Sequence, residues 1–357
     1  MTRRREFLSL LSCCWKLSMQ PAQPPFRRRG KKIRVGLSHV TVLNESVERN
    51  VIWHILGAGA QGLLWAYGLH QSHQHCRLLV RNSIPGAMAT YQSGDRTVHF
   101  SVSMLTAELV QEPIEYLLVT VKANQARQAL QSIRSELSDD AIVVLMQNGI
   151  GVESLARAVL PPRTRFLLGS STHGSYRQSA NHIVHAGQGQ MLIGDDTGQI
   201  SADHPAIQLL QQTPLNVRWH DNIQRVLWHK LAVNACANPL TALLNCRNGE
   251  LRQQPVAQSW LPALIEETCA VLAAEGHPLA VSELRQKIEQ VLQITAANFS
   301  STQQDYLAGR ETELAFINGT LIRCAEIHGI EVPAHREILR IVEQRGSLGA
   351  WQALSNS

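Results

Sequence analysis

No apolar run in this sequence reaches the ~18–20 residues that a membrane-crossing helix needs, so no spanning segment is expected. Cysteine is present without a framework: Cys13, Cys14, Cys76, Cys236, Cys246, Cys269 and Cys324 are odd in number and include no C-x-x-C pair. Disulfide scaffolds and zinc sites are therefore not expected, and a reducing, cytoplasmic compartment suits the pattern. Several of these thiols sit in apolar context, where a free cysteine serves as a small core residue. Metal-ligand spacing is also missing; His173 and His185 invite a catalytic reading but are expected to be structural, and no metal is expected.

Excess basic charge is confined to one end. The chain carries 33 Lys/Arg against 28 Asp/Glu, yet residues 1–50 hold 11 against 3, which leaves 22 against 25 for the remainder. That remainder makes no case for nucleic-acid binding. Residues 1–50 read as a disordered basic leader. The opening Thr2-Arg3-Arg4-Arg5-Glu6-Phe7-Leu8 resembles a twin-arginine export signal, but the apolar patch behind it is short, Lys16 interrupts it, and no clear small-x-small cleavage site follows. The Pro- and Arg-rich residues 21–34 cannot bury themselves. A folded unit is expected to start abruptly near Val51, which suggests that translation begins there.

What is present is organised around one stretch. Val51-Ile52-Trp53-His54-Ile55-Leu56 is an apolar, strand-like run, and Gly57-Ala58-Gly59-Ala60-Gln61-Gly62 follows it, with a helix-forming segment over residues 63–70. Strand, glycine turn and helix in that order meet the context that dinucleotide binding requires. Gly57 permits the turn, Gly59 admits a pyrophosphate to the backbone, and Gly62 lets the helix pack on the strand. Helix N–H groups and the helix dipole then hold the phosphate charge. A second strand over residues 76–80 ends in Arg81-Asn82-Ser83, with no acid to accept the ribose hydroxyls. Arg81 suits a 2′-phosphate by charge and forked geometry, so NADP(H) is favoured over NAD(H). The alternative is a merely solvated arginine at a strand end.

Further along, residues 97–104 alternate as a strand should. Residues 116–121 and 141–146 form near-continuous apolar runs, as fully buried parallel strands do, with a helical pattern over 126–137 between them. They end in Lys122-Ala123-Asn124 and Gln147-Asn148-Gly149. Ligands in open parallel sheets sit beyond such strand ends, so Lys122 and Asn148 are candidates to touch cofactor or substrate. Against that stand a solvated lysine and a turn-forming Asn-Gly. Residues 166–171 read as a strand, 182–185 and 191–194 as a hairpin turning at Gly187 and Gly189, 206–212 as a helix, and 217–219 as a short strand.

From Asn222 onward the pattern is helical. Lys230, Asn234 and Asn238 fall at i, i+4 and i+8 of an otherwise apolar helix and so share one face. Buried polar groups need partners. These three either bond to neighbouring backbone or line a cleft against the nucleotide-binding half, where burial would tune the lysine towards general-acid work. A helix over 314–325 would turn Glu313 inward and Glu311 outward, with Ser301 upstream adding a polar group. Dipole compensation is the plainer role for a carboxylate there.

Taken together, these segments resemble the ketopantoate reductase (2-dehydropantoate 2-reductase) family. The resemblance is carried by the glycine loop, Val119-Thr120-Val121-Lys122-Ala123, Gln147-Asn148-Gly149-Ile150-Gly151, Leu227-Trp228-His229-Lys230-Leu231-Ala232-Val233-Asn234, Asn238-Pro239-Leu240-Thr241-Ala242, Asn245-Cys246-Arg247-Asn248-Gly249-Glu250-Leu251, Ser300-Ser301, Thr312-Glu313 and Ile317-Asn318-Gly319. It spans roughly residues 52–345. It implies NADPH-dependent reduction of 2-dehydropantoate to (R)-pantoate on the route to pantothenate and coenzyme A. It also implies roles: Lys230 as general acid, Glu313 holding the substrate hydroxyl and orienting that acid, and Asn148, Asn234, Asn238 and Ser301 binding substrate. Lys122 and Arg81 would bind cofactor phosphate or ribose alongside residues 57–62 and Asn148. The leader and the tail over 346–357 have no counterpart in the family pattern, and the tail is expected to lie on the surface.

The expected fold is α/β. A Rossmann-type, doubly wound, mainly parallel sheet over residues 51–219 has helices on both faces, and an all-α half over 220–357 follows it, with the active site in the cleft between them. Three readings compete: the dedicated reductase, a relative acting on a different 2-keto acid, and a non-catalytic nucleotide-binding module. The partner is expected to be a small molecule, without nucleic acid or membrane, and the chain a homodimer or a monomer.

Overall fold

The structure is a computed structural model that describes residues 51–84 and 86–346; the readings made for the leader and for residues 347–357 lie outside the described residues. Twelve strands are described: β1 (Ile52–Leu56), β2 (His75–Leu79), β3 (Met88–Ser93), β4 (Arg96–Ser101), β5 (Ser103–Leu105), β6 (Ile114–Val119), β7 (Leu137–Leu145), β8 (Arg165–Ser171), β9 (Gly174–Ser179), β10 (His182–Gly187), β11 (Met191–Gly194) and β12 (Val217–Trp219). Helices α1 (Ala60–Gln71), α2 (Ala123–Ser132), α3 (Val152–Val159) and α4 (Pro205–Gln211) lie among them. After β12 the elements are helical: α5 (Ile223–Leu244), α6 (Asn248–Leu251), α7 (Pro255–Ala274), α8 (Val281–Ile294), α9 (Ser301–Leu307), α10 (Asn318–His328) and α11 (Pro333–Gly346), with a short 3₁₀ turn at Leu314–Phe316.

Eight strands form the main sheet in the order β12-β11-β8-β7-β6-β1-β2-β5. The six from β8 to β5 run parallel, while β11 pairs antiparallel with β8 and β12 runs parallel to β11. The period of two along these strands sorts the core. Trp53, Ile55, Leu118, Val144 and Leu167 enter one apolar cluster, with α1 and α4; Leu56, Val119, Leu145 and Leu168 enter another, with α2 and α3. Both faces are covered, which is why the strands read as near-continuous apolar runs.

The smaller sheet, ordered β4-β3-β10-β9, lies against α1, with β3, β9 and β10 all contacting that helix. Residues Gly62 through Leu69 of α1 are consequently all buried. A helix apolar all round needs cover on both sides. The smaller sheet supplies the second cover.

Four local expectations are corrected. The stretch 97–104 is two strands in different sheets, β4 pairing with β3 and β5 with β2, because the chain breaks at Val102 to reach the main sheet's edge. The helix expected over 126–137 runs Ala123–Ser132, and Leu137 already begins β7. Residues 182–185 and 191–194 are not a hairpin: β10 pairs with β9 and β3, whereas β11 pairs with β8 and β12. The helix expected over 314–325 is a 3₁₀ turn, a break at Ile317 (φ −104, ψ −84), and then α10.

In the helical half, α5 runs through Pro239, whose missing N–H would ordinarily leave the Ala235 carbonyl unpaired. The fully buried Asn318 supplies the donor instead, Nδ2 to Ala235 O at 2.9 Å, and the same amide reaches His335 Nδ1 at 3.0 Å. Asn318→Ala should therefore destabilise the protein by about 1–3 kcal/mol, the usual cost of orphaning a buried carbonyl. Adding Pro239→Ala, which restores the missing N–H, should recover part of that loss in denaturant unfolding. Strictly additive effects in the double variant would contradict this pairing.

Candidate active site

The main sheet reverses its direction of winding between β1 and β6: the chain passes from β1 outward to β2 and β5, then crosses back to β6 on the other side of β1. A crevice forms at such a point, beyond the carboxyl ends of the strands. The glycine loop sits there. Gly57 has φ +108, and a Cβ on it would come within 2.7 Å of Val121 Cγ1. A Cβ on Gly62 would fall 1.9 Å from the Gly57 carbonyl oxygen, so only glycine allows α1 to start so close to β1. At Gly59 a Cβ would meet nothing within 4 Å. The turn is braced from just past β6, where the Thr120 hydroxyl donates to Leu56 O (3.1 Å) and Gly57 O (2.9 Å).

This cradle fits a dinucleotide pyrophosphate. Gly59 is the N-cap of α1, no side chain caps the helix, and no acid lies in its first turn. The leading N–H groups thus remain available to an anion approaching through the open space at Gly59. Arg81 lies exposed just past β2, unpaired with any acid among the described residues.

Neighbouring strand ends carry the other predicted groups. Asn148, beyond β7, donates from Nδ2 to Glu313 Oε2 at 3.1 Å, and the Ala123 backbone N–H at the head of α2 donates to Glu313 Oε1 at 3.0 Å. Glu313 comes from the helical half, so its carboxylate joins that half to two strand ends of the sheet. Burial raises its proton affinity, and the two donors work against that shift. Beneath it, the buried Gln147 donates to the Val119 and Val121 carbonyls at 2.8 and 2.9 Å, holding the β6 and β7 ends together.

Lys230 is half-buried on α5, and its ammonium donates to the Ser171 carbonyl at the end of β8, 2.9 Å away. Desolvation lowers its pKa to about 8, and the Glu313 carboxylate partly opposes the shift. Asn234 is half-buried and Asn238 is 9% exposed on the same helix, with neither side-chain amide bonded to another described residue. Of the two readings left open for the lysine, the backbone partner is the one seen directly, in the Ser171 carbonyl.

Lys122 is committed differently from the expectation. Its ammonium forms an ion pair with Asp305 Oδ1 on α9 at 2.6 Å and reaches the Glu311 carbonyl at 3.3 Å, while Arg310 also pairs with Asp305. Ser301 is exposed at the start of α9. The buried hydroxyl there is Ser300, which caps α9 and bonds to Thr241 at 2.7 Å. Sequence reading missed Asp305, Gln147 and the Ser171 carbonyl. Asp305 and Gln147 gain their partners only in the tertiary fold, and a backbone carbonyl leaves no side-chain signal at all.

His173 and His185 are buried against each other, Nδ1 to Nε2 at 2.9 Å, away from any carboxylate partner among the described residues. Burial depresses both pKa values, that of His185 to about 4, as suits neutral structural imidazoles.

Residues 53–198 match the family model for ketopantoate reductase PanE/ApbA, and residues 222–346 match the model for its C-terminal part. A 2-dehydropantoate 2-reductase from Shigella flexneri is 37% identical over 300 residues, covering 82% of this chain and 94% of that one. Its counterpart from Vibrio cholerae is 34% identical over 295 residues, covering 81% of this chain and 96% of that one. The crystal structure of a PanE/ApbA family ketopantoate reductase from Ralstonia eutropha superposes with a TM-score of 0.75 at 23% identity, over 83% of this chain and 99% of that one. With both halves matched and the relatives covered almost end to end, the chain belongs to the ketopantoate reductase family.

Proposed function

We propose that this protein catalyses the NADPH-dependent reduction of 2-dehydropantoate to (R)-pantoate, the reductive step towards pantothenate and coenzyme A. The supporting observation is the meeting of Lys230, its pKa lowered to about 8, with the Asn148–Glu313 pair at strand ends next to an uncapped glycine-loop helix. Membership of the family supplies the substrate and the cofactor.

In this reading residues 57–62, Asn148 and Arg81 hold NADPH, which supplies a hydride to the C2 carbonyl carbon when bound. Lys230 gives a proton to the carbonyl oxygen, so that the alcohol forms as the carbon is reduced. Its positive charge also favours the negative charge developing on that oxygen. Glu313 accepts a hydrogen bond from the substrate's hydroxyl and supports the charged form of Lys230. Asn234 and Asn238 bind the carboxylate end from the same helical face, and Ser301 approaches from the head of α9. Lys122 contacts cofactor phosphate or ribose through a donor left over from its ion pair with Asp305. The partner is a small molecule alone, in the cytoplasm, and a monomer or a homodimer serves equally.

The test is turnover of the full chain with 2-dehydropantoate and a panel of other branched 2-keto acids, followed by loss of NADPH absorbance. kcat/KM should be highest for 2-dehydropantoate by roughly tenfold or more, the discrimination that one well-formed polar contact supplies. Equal rates across the panel would overturn a dedicated role.

A further inference from the structure

Arg177 lies on β9, exposed, and pairs with no carboxylate among the described residues. One of its N–H groups, on Nη1, donates to the carbonyl of Ala58 inside the glycine loop, 3.2 Å away. This arginine belongs to the smaller sheet, remote in sequence from the loop it touches. A carbonyl oxygen at the edge of an anion cradle repels phosphate oxygens. A guanidinium bonded to it cancels that repulsion and adds a full positive charge beside the helix terminus. Of its five N–H donors, one is committed to described protein groups.

The arginine's strand is held firmly against the cofactor helix. Arg177 is in register with Ile183 of β10. His185 of β10 is fixed on both ring nitrogens, by Tyr91 OH (2.8 Å) and by His173 (2.9 Å). The proton positions follow from the partners. The Gly189 N–H donates to His173 Nδ1 (3.1 Å), so that nitrogen accepts, and His173 Nε2 must donate to the Leu215 carbonyl (2.9 Å). His185 therefore donates from Nε2 and accepts at Nδ1 from the Tyr91 hydroxyl. Every donor points the same way along this buried chain. Tyr91 in turn stacks on Tyr67 of α1, with ring centroids 3.6 Å apart and planes 4° from parallel. The backbone that carries Arg177 is thereby anchored to the helix whose N-terminus forms the cradle, so only the arginine side chain is left to be ordered on binding.

We propose that Arg177 is a cofactor-binding residue whose guanidinium, seated on the Ala58 carbonyl, closes over the pyrophosphate bridge of the dinucleotide at the head of α1. The proposal rests on the NADPH reading above but not on the identity of the keto acid. Dissociation constants for NADPH and for NADH are measured without substrate, by quenching of intrinsic fluorescence, in the wild type, Arg177→Ala and Arg177→Lys. Both cofactors contain the pyrophosphate. Arg177→Ala should therefore weaken both by roughly tenfold, leaving their ratio unchanged, and should flatten the salt dependence of binding. Arg177→Lys should restore part of the affinity. Affinities within about twofold of wild type, a loss confined to NADPH, or full affinity in Arg177→Ala at low salt would each overturn the assignment. Failure of the substrate panel leaves these binding results untouched, so the two readings fail separately.

Discussion

Lys230→Ala is expected to lower kcat on the order of 10³-fold while NADPH binds as in the wild type, the range usual for removing a positioned general acid. The physical basis is the ammonium's setting: held at 2.9 Å by the Ser171 carbonyl, half-buried, with its pKa lowered to about 8. An acid must carry its proton to donate it. The depressed pKa therefore leaves Lys230 active at neutral pH and inactive once the pH rises through about 8, so kcat should fall on the basic side with a limb near that value. Lys230→Arg keeps a charge but not a transferable proton near neutrality, and should recover substrate affinity far better than turnover. A variant lacking the amine that still turns over at wild-type rate would remove Lys230 from its proposed role.

The second large effect is expected at Glu313. Its two carboxylate oxygens accept from the Ala123 N–H and the Asn148 amide. In Glu313→Gln one of these donors would meet an NH₂ group, leaving a buried donor opposed, and the charge that supports the Lys230 ammonium would disappear. Removing one member of a buried, hydrogen-bonded charge set costs about 2–4 kcal/mol, or roughly 30- to 10³-fold in kcat/KM. The sign of the accompanying pH shift is fixed. Glu313 raises the Lys230 pKa against desolvation, so without it the basic limb should move to lower pH. A variant with reduced kcat/KM but an unmoved limb would make Glu313 a substrate ligand only. An unchanged kcat/KM would exclude it from the site.

How far the sequence foretold the fold depended on how local each signal was. The β1–glycine–α1 unit was legible because its demands are local: a turn at Gly57, an opening at Gly59 and close packing at Gly62, each met in the structure. The buried strands β6 and β7 were legible because burial on both faces makes an apolar run. The smaller sheet was not. Its strands alternate like many others, and nothing in residues 182–194 says that β10 will turn to β9 and β3 while β11 joins β8. Strand pairing is a non-local choice, settled by which apolar surface needs cover, here the buried Gly62–Leu69 stretch of α1.

The same division runs through the candidate site. The spacing of Lys230, Asn234 and Asn238 followed from the helical repeat, and the strand-end positions of Lys122 and Asn148 from the apolar runs before them. The sequence by itself determined the dinucleotide cradle, the family, and the polar face of the long helix, because each depends on residues close along the chain or on a backbone conformation few residues adopt. Only the tertiary structure decided the partners. It brought Ser171 O to Lys230, Asn148 and Ala123 to Glu313, Asp305 to Lys122, and Arg177 to the glycine loop. The physical reason is that a hydrogen bond is chosen by distance and desolvation in the packed chain, and residues 59 to 190 positions apart become neighbours only when the sheet and the helices close on one crevice.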